Sequence, residues 1–345
     1  MQIKKDEETL KKIYSILDQK EINISVADFL LDLFNNSFLE NPTIENIFSE
    51  YNFTKNEKKL VKSRINSINC VSKSIIKNNP YINKISLPSI NIKGYSFGYD
   101  AYNKFELFSN DDISIGENYI NKYDLGYFDE KIKIPCLRKD NDIWMSVTPN
   151  EIHTMEKAIS RANGNVLVFG LGIGYFPFMI SLKDNVEDIT IVENDKIIIQ
   201  IFNEYILKQF NHPEKIHVIE MDALEYLKGL TKTFDYAFID IWHNPVDGLP
   251  YYINFQKRSN KLPKDTDYWL ETSLIDMLRR YYLTIIEESL AGYSDKDYEY
   301  ERSLSDKIIN AIYYATKNTL ISKSEDVDLI LDDKELIKLV RKLLI

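Results

Sequence analysis

Val166-Leu167-Val168-Phe169-Gly170-Leu171-Gly172-Ile173-Gly174 sets an apolar run directly against three glycines at alternate positions. The run reads as a strand buried on both faces, and the glycines as a turn that opens a helix. Glycine adopts positive φ at no steric cost, and without a side chain it lets a ligand approach the main chain. A helix starting at Gly174 presents unsatisfied N–H groups at the positive end of its dipole. The same nine residues could form a strand–helix turn that merely packs, so their meaning depends on what surrounds them.

Working outward, strand patterns over 165–169, 189–193, 216–220, 236–240 and near 268–272 alternate with helical ones. The helices begin at Gly174 and continue over 195–210, 223–230, near 245–258 and to about 290. Thr148-Pro149-Asn150-Glu151 opens a preceding helix, reaching about 163, with a capping hydroxyl, Pro at the first helical position and Glu at the third. This alternation predicts an α/β domain over 148–295 built as a Rossmann-like, doubly wound, mostly parallel sheet. Acids fall at the ends of its strands. Glu193 ends the second strand, where a carboxylate can accept ribose hydroxyls. Asp222, beside Met221 and Ala223, follows the third, where it can accept an adenine amino group or cap a helix. Asp240 ends the fourth. Open parallel sheets bind ligands at this carboxyl edge.

The flanking regions are less specific. Residues 1–80 read as short helices: Leu10, Ile13, Ile16 and Leu17 keep helical spacing, as do Phe29, Leu30, Leu33 and Phe34. Thr54 and Glu57 form a capping box before a basic helix carrying Lys55, Lys58, Lys59, Lys62 and Arg64, read as a solvated face rather than an RNA-binding patch. Residues 81–147 form a β-rich unit, with strands expected over 105–108, 131–137 and 143–147 and turns at 110–112 and 140–142. Residues 296–345 form a helical extension whose last helix, capped by Asp332 and Glu335, carries the stripe Leu336, Val340 and Leu343.

The 345 residues carry a formal net charge of −10, a field that repels phosphate backbones and leaves nucleic-acid binding without support. Two cysteines make neither a disulfide framework nor a zinc pattern. His153, His212 and His217 are scattered without metal-ligand spacing, so no metal is expected. The start alternates Lys and Glu without an apolar segment, and the stretch 165–180 is too short and glycine-broken to span a bilayer. A cytoplasmic protein with a small-molecule substrate is expected. The flanking regions could cover the site or form a homodimer surface.

The order of glycine bend, Glu193, Asp222 and Asp240 resembles the class I S-adenosylmethionine-dependent methyltransferases and their relatives, the spermidine synthases. Tyr175, where a dinucleotide fingerprint has its last glycine, favours this family over NAD binding. The resemblance implies S-adenosylmethionine as cofactor. Gly170, Gly172 and Gly174 would hold its methionine part, Glu193 its ribose, Asp222 and Ala223 its adenine, and Asp240 would face both cofactor and substrate. The chain departs from the family at Val168, where many methyltransferases carry an acid two residues before the first glycine, and in lacking the last two strands after residue 290, so that the sheet is either cut to five strands or completed differently.

The segment Asp240-Ile241-Trp242-His243-Asn244-Pro245 lies where substrate is handled, and Asp240 and His243 are the catalytic candidates. An imidazole titrates near neutrality and suits a general base. Methyl transfer to an unknown substrate is the leading expectation. Aminopropyl or aminobutyl transfer is the alternative: the acidic balance suits cationic amines, while His243 stands where spermidine synthases commonly place an acid. A non-catalytic protein that keeps the fold is the third.

Overall fold

A computed structural model describes residues 1–36, 52–65, 68–299 and 301–343; the side chains of 21–28 and 30–36 lie outside the described part, Leu30, Leu33 and Phe34 among them. The first helical position of Pro149–Arg161 (α1) follows Thr148, whose Oγ1 accepts the Glu151 N–H at 3.2 Å. The strands are Gly164–Phe169 (β1), Val186–Glu193 (β2), Ile216–Glu220 (β3), Tyr236–Ile239 (β4) and Asp265–Tyr268 (β5). They form one five-stranded sheet in the order β3-β2-β1-β4-β5, with every neighbouring pair parallel. The helices Tyr175–Ser181 (α2), Lys196–Ile201 (α3), Ala223–Gly229 (α4), Pro245–Lys257 (α5) and Glu271–Leu290 (α6) alternate with these strands. The fold is therefore the expected Rossmann-like α/β type with its sheet cut to five strands.

The central strands explain their own composition. Val166 to Phe169 of β1 and Tyr236 to Ile239 of β4 are each at most 1 % exposed, so both faces of the sheet are covered. Each such side chain contributes about 1.5–3 kcal/mol by burial. Phe176 of α2 stacks on Phe238 of β4 with ring centroids 4.2 Å apart. Strand order reverses between β1, which pairs with β2 on one side, and β4 on the other, the place where open parallel sheets form a crevice at their carboxyl edge.

Three expectations are corrected. The fifth strand is Asp265–Tyr268 rather than 268–272, because Arg161 at the end of α1 pairs with Asp265 at 2.9 Å and hydrogen-bonds Asp267 as well, anchoring a polar edge strand without an apolar period. The apolar stripes near Leu10 and Phe29 belong to one helix, Glu7–Asn36, rather than two. The strand expected at 105–108 starts only at Phe108, because Phe105 takes φ +66° in a turn.

The remaining β-rich segment is an antiparallel sheet of Tyr95–Tyr102, Ile132–Lys139 and Asp142–Ser146, with the hairpin closed by Asp140 and Asn141 at φ +51° and +76°. Positive φ at both positions matches the right-handed strand twist. Gln2–Ile3 pairs parallel with Leu320–Ile321, tying the N-terminal region to the C-terminal extension. Leu336, Val340 and Leu343 are fully buried, as their spacing predicts. In the helix Lys55–Ile65 the four lysines are exposed, but Arg64 is 4 % exposed and faces the Tyr123 ring, so it is not part of a basic surface. No described helix is long and apolar enough to cross a membrane.

Candidate active site

At the carboxyl edge of the sheet lies a cavity of about 430 Å³, a size that suits a small molecule. Gly170, Gly172, Glu193, Asp222, Ala223, Asp240 and His243 all line it. The hairpin residues Ile143 to Ser146 close it from the opposite side.

The bend is held in place by the strands it joins. Gly170 takes φ +95°, and its N–H donates to the Val192 carbonyl at 3.0 Å. A Cβ at Gly170 would fall onto the Asp240 carbonyl oxygen, so the loops after β1 and β4 touch only because no side chain stands there. Glu193 reaches across to the bend: one carboxylate oxygen accepts the Leu171 N–H at 3.1 Å, and the other accepts the N–H groups of Asn194 and Asp195, both at 2.8 Å. Gly174 is a correction. It does not line the cavity; it caps α2 in a left-handed conformation, and a Cβ there would strike the Phe202 ring. Its role is packing.

Asp222 is a helix cap with one carboxylate oxygen left over. Its Oδ1 accepts the N–H groups of Leu224 and Glu225 at 2.9 and 3.0 Å as the cap of α4, while its Oδ2 has no protein partner among the described residues. Met221 and Ala223 on either side line the cavity with it. Asp195, another lining acid, caps α3. Burial alone would push its carboxyl up, but hydrogen bonds from Tyr95 Oη at 2.7 Å and from two backbone N–H groups hold it below the usual range. The Tyr95 bond ties the hairpin sheet to the cavity wall.

Glu151 does more than its sequence position shows. Its place after Thr148 marks it as a helix-capping acid, and there the Thr148 Oγ1 accepts the Glu151 N–H while the Thr148 backbone N–H bonds the Glu151 carboxyl. The side chain enters the cavity, where burial and then the charge of Asp240 push its carboxyl up to about 8. Burial raises Asp240 to about 7. Two carboxyls in one poorly solvated place cannot both ionise freely.

His243 Nδ1 lies 3.1 Å from Asp247 Oδ2, and its ring meets Trp144 edge-on with centroids 4.6 Å apart. The other histidines hold local structure, for instance His153 on the Asn110 carbonyl and His217 on Asp188. Among the described residues no group of His, Cys, Asp and Glu could hold a metal ion.

An S-adenosyl nucleoside fits the residues present. The bend offers main chain without side chains, Glu193 a fixed carboxylate with one lone pair to spare, and Asp222 a free acceptor oxygen.

Comparison with known proteins agrees with this architecture. Residues 149–264 match the spermine/spermidine synthase domain family. Similar solved structures include spermidine synthase from Thermotoga maritima, at 16 % identity over 44 % of this chain and 59 % of that one, with a TM-score of 0.32. A spermidine synthase in complex with the transition-state analogue AdoDATO shares 18 % identity over 40 % of this chain and 53 % of that one, with a TM-score of 0.31. Human methyltransferase-like protein 13 in complex with S-adenosylhomocysteine shares 20 % over 32 % of this chain and 55 % of that one, with a TM-score of 0.25. The chain thus spans little more than half the length of these structures. No curated protein matches it. The chain resembles the class I S-adenosylmethionine-dependent methyltransferase superfamily and its spermidine-synthase relatives, in sequence motif and in fold.

Proposed function

We infer that the chain is an enzyme that transfers an alkyl group from an S-adenosyl sulfonium donor to a small-molecule nucleophile. The observation that supports this best is the convergence of the Gly170–Gly172 bend, Glu193, Asp222 and Asp240 on one cavity. The bound sulfonium would supply an electrophilic carbon and a thioether leaving group. The chain's own residues position the reactants: Glu193 takes the ribose, Asp222 the adenine, and Asp240 orients the reacting end. Holding two reactants in line is the main catalytic demand of such a displacement.

Methyl transfer from S-adenosylmethionine is one form of this reading. Aminopropyl or aminobutyl transfer is the second, and the charge of the cavity favours it. Glu151, Glu193, Asp195, Asp222 and Asp240 line the cavity, and no Lys or Arg does so among the described residues. Burial keeps Glu151 mostly protonated and Asp240 partly so near pH 7, so the attraction for ammonium groups on donor and acceptor comes chiefly from the other three acids, and the lining offers no cation to a donor carboxylate.

Calorimetric titration with S-adenosylmethionine, S-adenosylhomocysteine and decarboxylated S-adenosylmethionine tests the reading. Product formation is then followed with S-adenosylmethionine plus a small-molecule cell extract, and with the decarboxylated donor plus 1,4-diaminobutane. Binding of none of the three ligands refutes the assignment. Tighter binding of S-adenosylmethionine than of its decarboxylated form removes aminopropyl transfer. Binding without product in either mixture leaves a non-catalytic protein.

A further inference from the structure

We propose that Asp247 makes His243 the base that takes a proton from the acceptor nucleophile; this rests on the transferase reading above. His243 stands on the loop after β4, three residues beyond Asp240, and lines the cavity. Its Nδ1 lies 3.1 Å from Asp247 Oδ2, and its Nε2 has no protein partner among the described residues. A carboxylate on Nδ1 fixes the tautomer: Nδ1 keeps its hydrogen and Nε2 carries the lone pair. Asp247 is itself fixed at the start of α5. Its oxygens accept the His243 N–H at 3.1 Å and the Asn244 N–H at 2.8 Å. Burial alone would raise this carboxyl, but those bonds and the imidazole outweigh it and keep it ionised at neutral pH.

The surroundings complete the device. Trp144 from the hairpin packs edge-on against the imidazole and limits its rotation. Asp247 on α5 is the titratable group on the ring; Asp240 at the end of β4 and Glu151 on α1 line the same cavity, and Lys139 lies behind Trp144, its ammonium 4.5 Å from that ring's centre. The imidazole is about half exposed at the cavity mouth, so it can return its proton to water. For an amine acceptor, Nε2 takes one proton from the ammonium. The freed lone pair forms the new N–C bond as the C–S bond breaks and its electron pair stays on sulfur. The imidazolium then releases the proton to solvent. The alkylated amine keeps the positive charge that the sulfonium loses.

The test uses the full chain with the two donor–acceptor mixtures named above and follows methylthioadenosine or S-adenosylhomocysteine between pH 5 and 9. A positioned general base contributes on the order of 10²–10⁴-fold. His243→Gln is therefore expected to lower kcat at least about 100-fold with the KM for the donor little changed. Asp247→Asn keeps an acceptor oxygen for the α5 cap, which a thermal melt verifies. It is expected to lower kcat about tenfold and to move the acid limb of the pH profile to lower pH, because the imidazolium loses its anionic partner. An acid limb that persists unchanged in His243→Gln, or an Asp247→Asn profile that superimposes on the wild type, overturns the proposal while leaving the transferase intact. A wild-type chain that turns over neither mixture refutes both together.

Discussion

Replacing Glu151 by Gln is expected to stabilise the ligand-free chain at neutral pH and to leave it unchanged in acid. The carboxyl moves from an ordinary 4.5 in the unfolded chain to about 8 in the folded one, through burial and the nearby Asp240 charge. Between those values the folded state binds more protons than the unfolded state, so wild-type stability falls as pH rises through that window. Below pH 4.5 both states are protonated and the penalty vanishes. At about 1.36 kcal/mol per pH unit, the full window is worth up to roughly 4–5 kcal/mol, or about 2–3 kcal/mol after allowance for the part-open cavity. Gln keeps the shape and carries no charge at any pH. Thermal melts of both proteins at pH 4.5, 6 and 8 should show the Glu151→Gln variant and the wild type coinciding at the lowest pH and separating by roughly 3–4 °C at the highest. A constant gap across the series, or a wild type that gains on the variant as pH rises, refutes the reasoning. The same substitution should weaken ligands that bring an ammonium into the cavity, because an arriving cation can draw the proton off Glu151 and pair with it, as it cannot with Gln.

Asp222→Asn separates the two duties of that residue. Asn caps helices as well as Asp does, so the melting temperature should stay within a degree or so, while loss of a charge-assisted bond to the adenine amino group weakens S-adenosylhomocysteine binding about tenfold by calorimetry. Gly170→Ala should destabilise by about 3 kcal/mol or more in urea unfolding, since it combines a positive φ with a collision against the Asp240 backbone. Arg279 is 1 % exposed and donates to Asp276 and the Leu331 carbonyl, both at 3.0 Å, and to Asp333. Arg279→Leu leaves the Leu331 carbonyl without its donor and Asp276 with only Arg280 and Asn121, at 2.8 and 2.9 Å, and should cost about 2–3 kcal/mol in the same assay without changing the affinity for S-adenosylhomocysteine in the fraction that remains folded.

Much of the sheet and of the cavity lining at its carboxyl edge was legible in the sequence, for definite reasons. Parallel strands buried on both faces leave continuous apolar runs such as Val166 to Phe169. The glycines of the bend and the acids closing β2 and β4 occupy positions that few other residues tolerate or explain. What escaped was set by tertiary contacts. The edge strand Asp265–Tyr268 is polar and owes its place to Arg161 and to pairing with β4. Glu151 satisfied a local capping pattern, and only the fold shows that its side chain also lines the cavity near Asp240. Gly174 shared the periodicity of Gly170 and Gly172, yet one residue of further turn carries it behind the bend onto Phe202. The partner of His243, Asp247, lay one helical turn ahead in the same sequence. Its value was visible only once α5 was known to begin at Pro245.

A crystal structure of the chain with 5′-methylthioadenosine tests the central claim most directly. The account predicts the ribose hydroxyls at about 2.6–3.0 Å from the Glu193 carboxylate, the adenine amino group on Asp222 Oδ2, and the sulfur above the Gly170–Gly172 main chain. A nucleoside bound elsewhere, or one lying in the cavity with neither acid in contact, contradicts it.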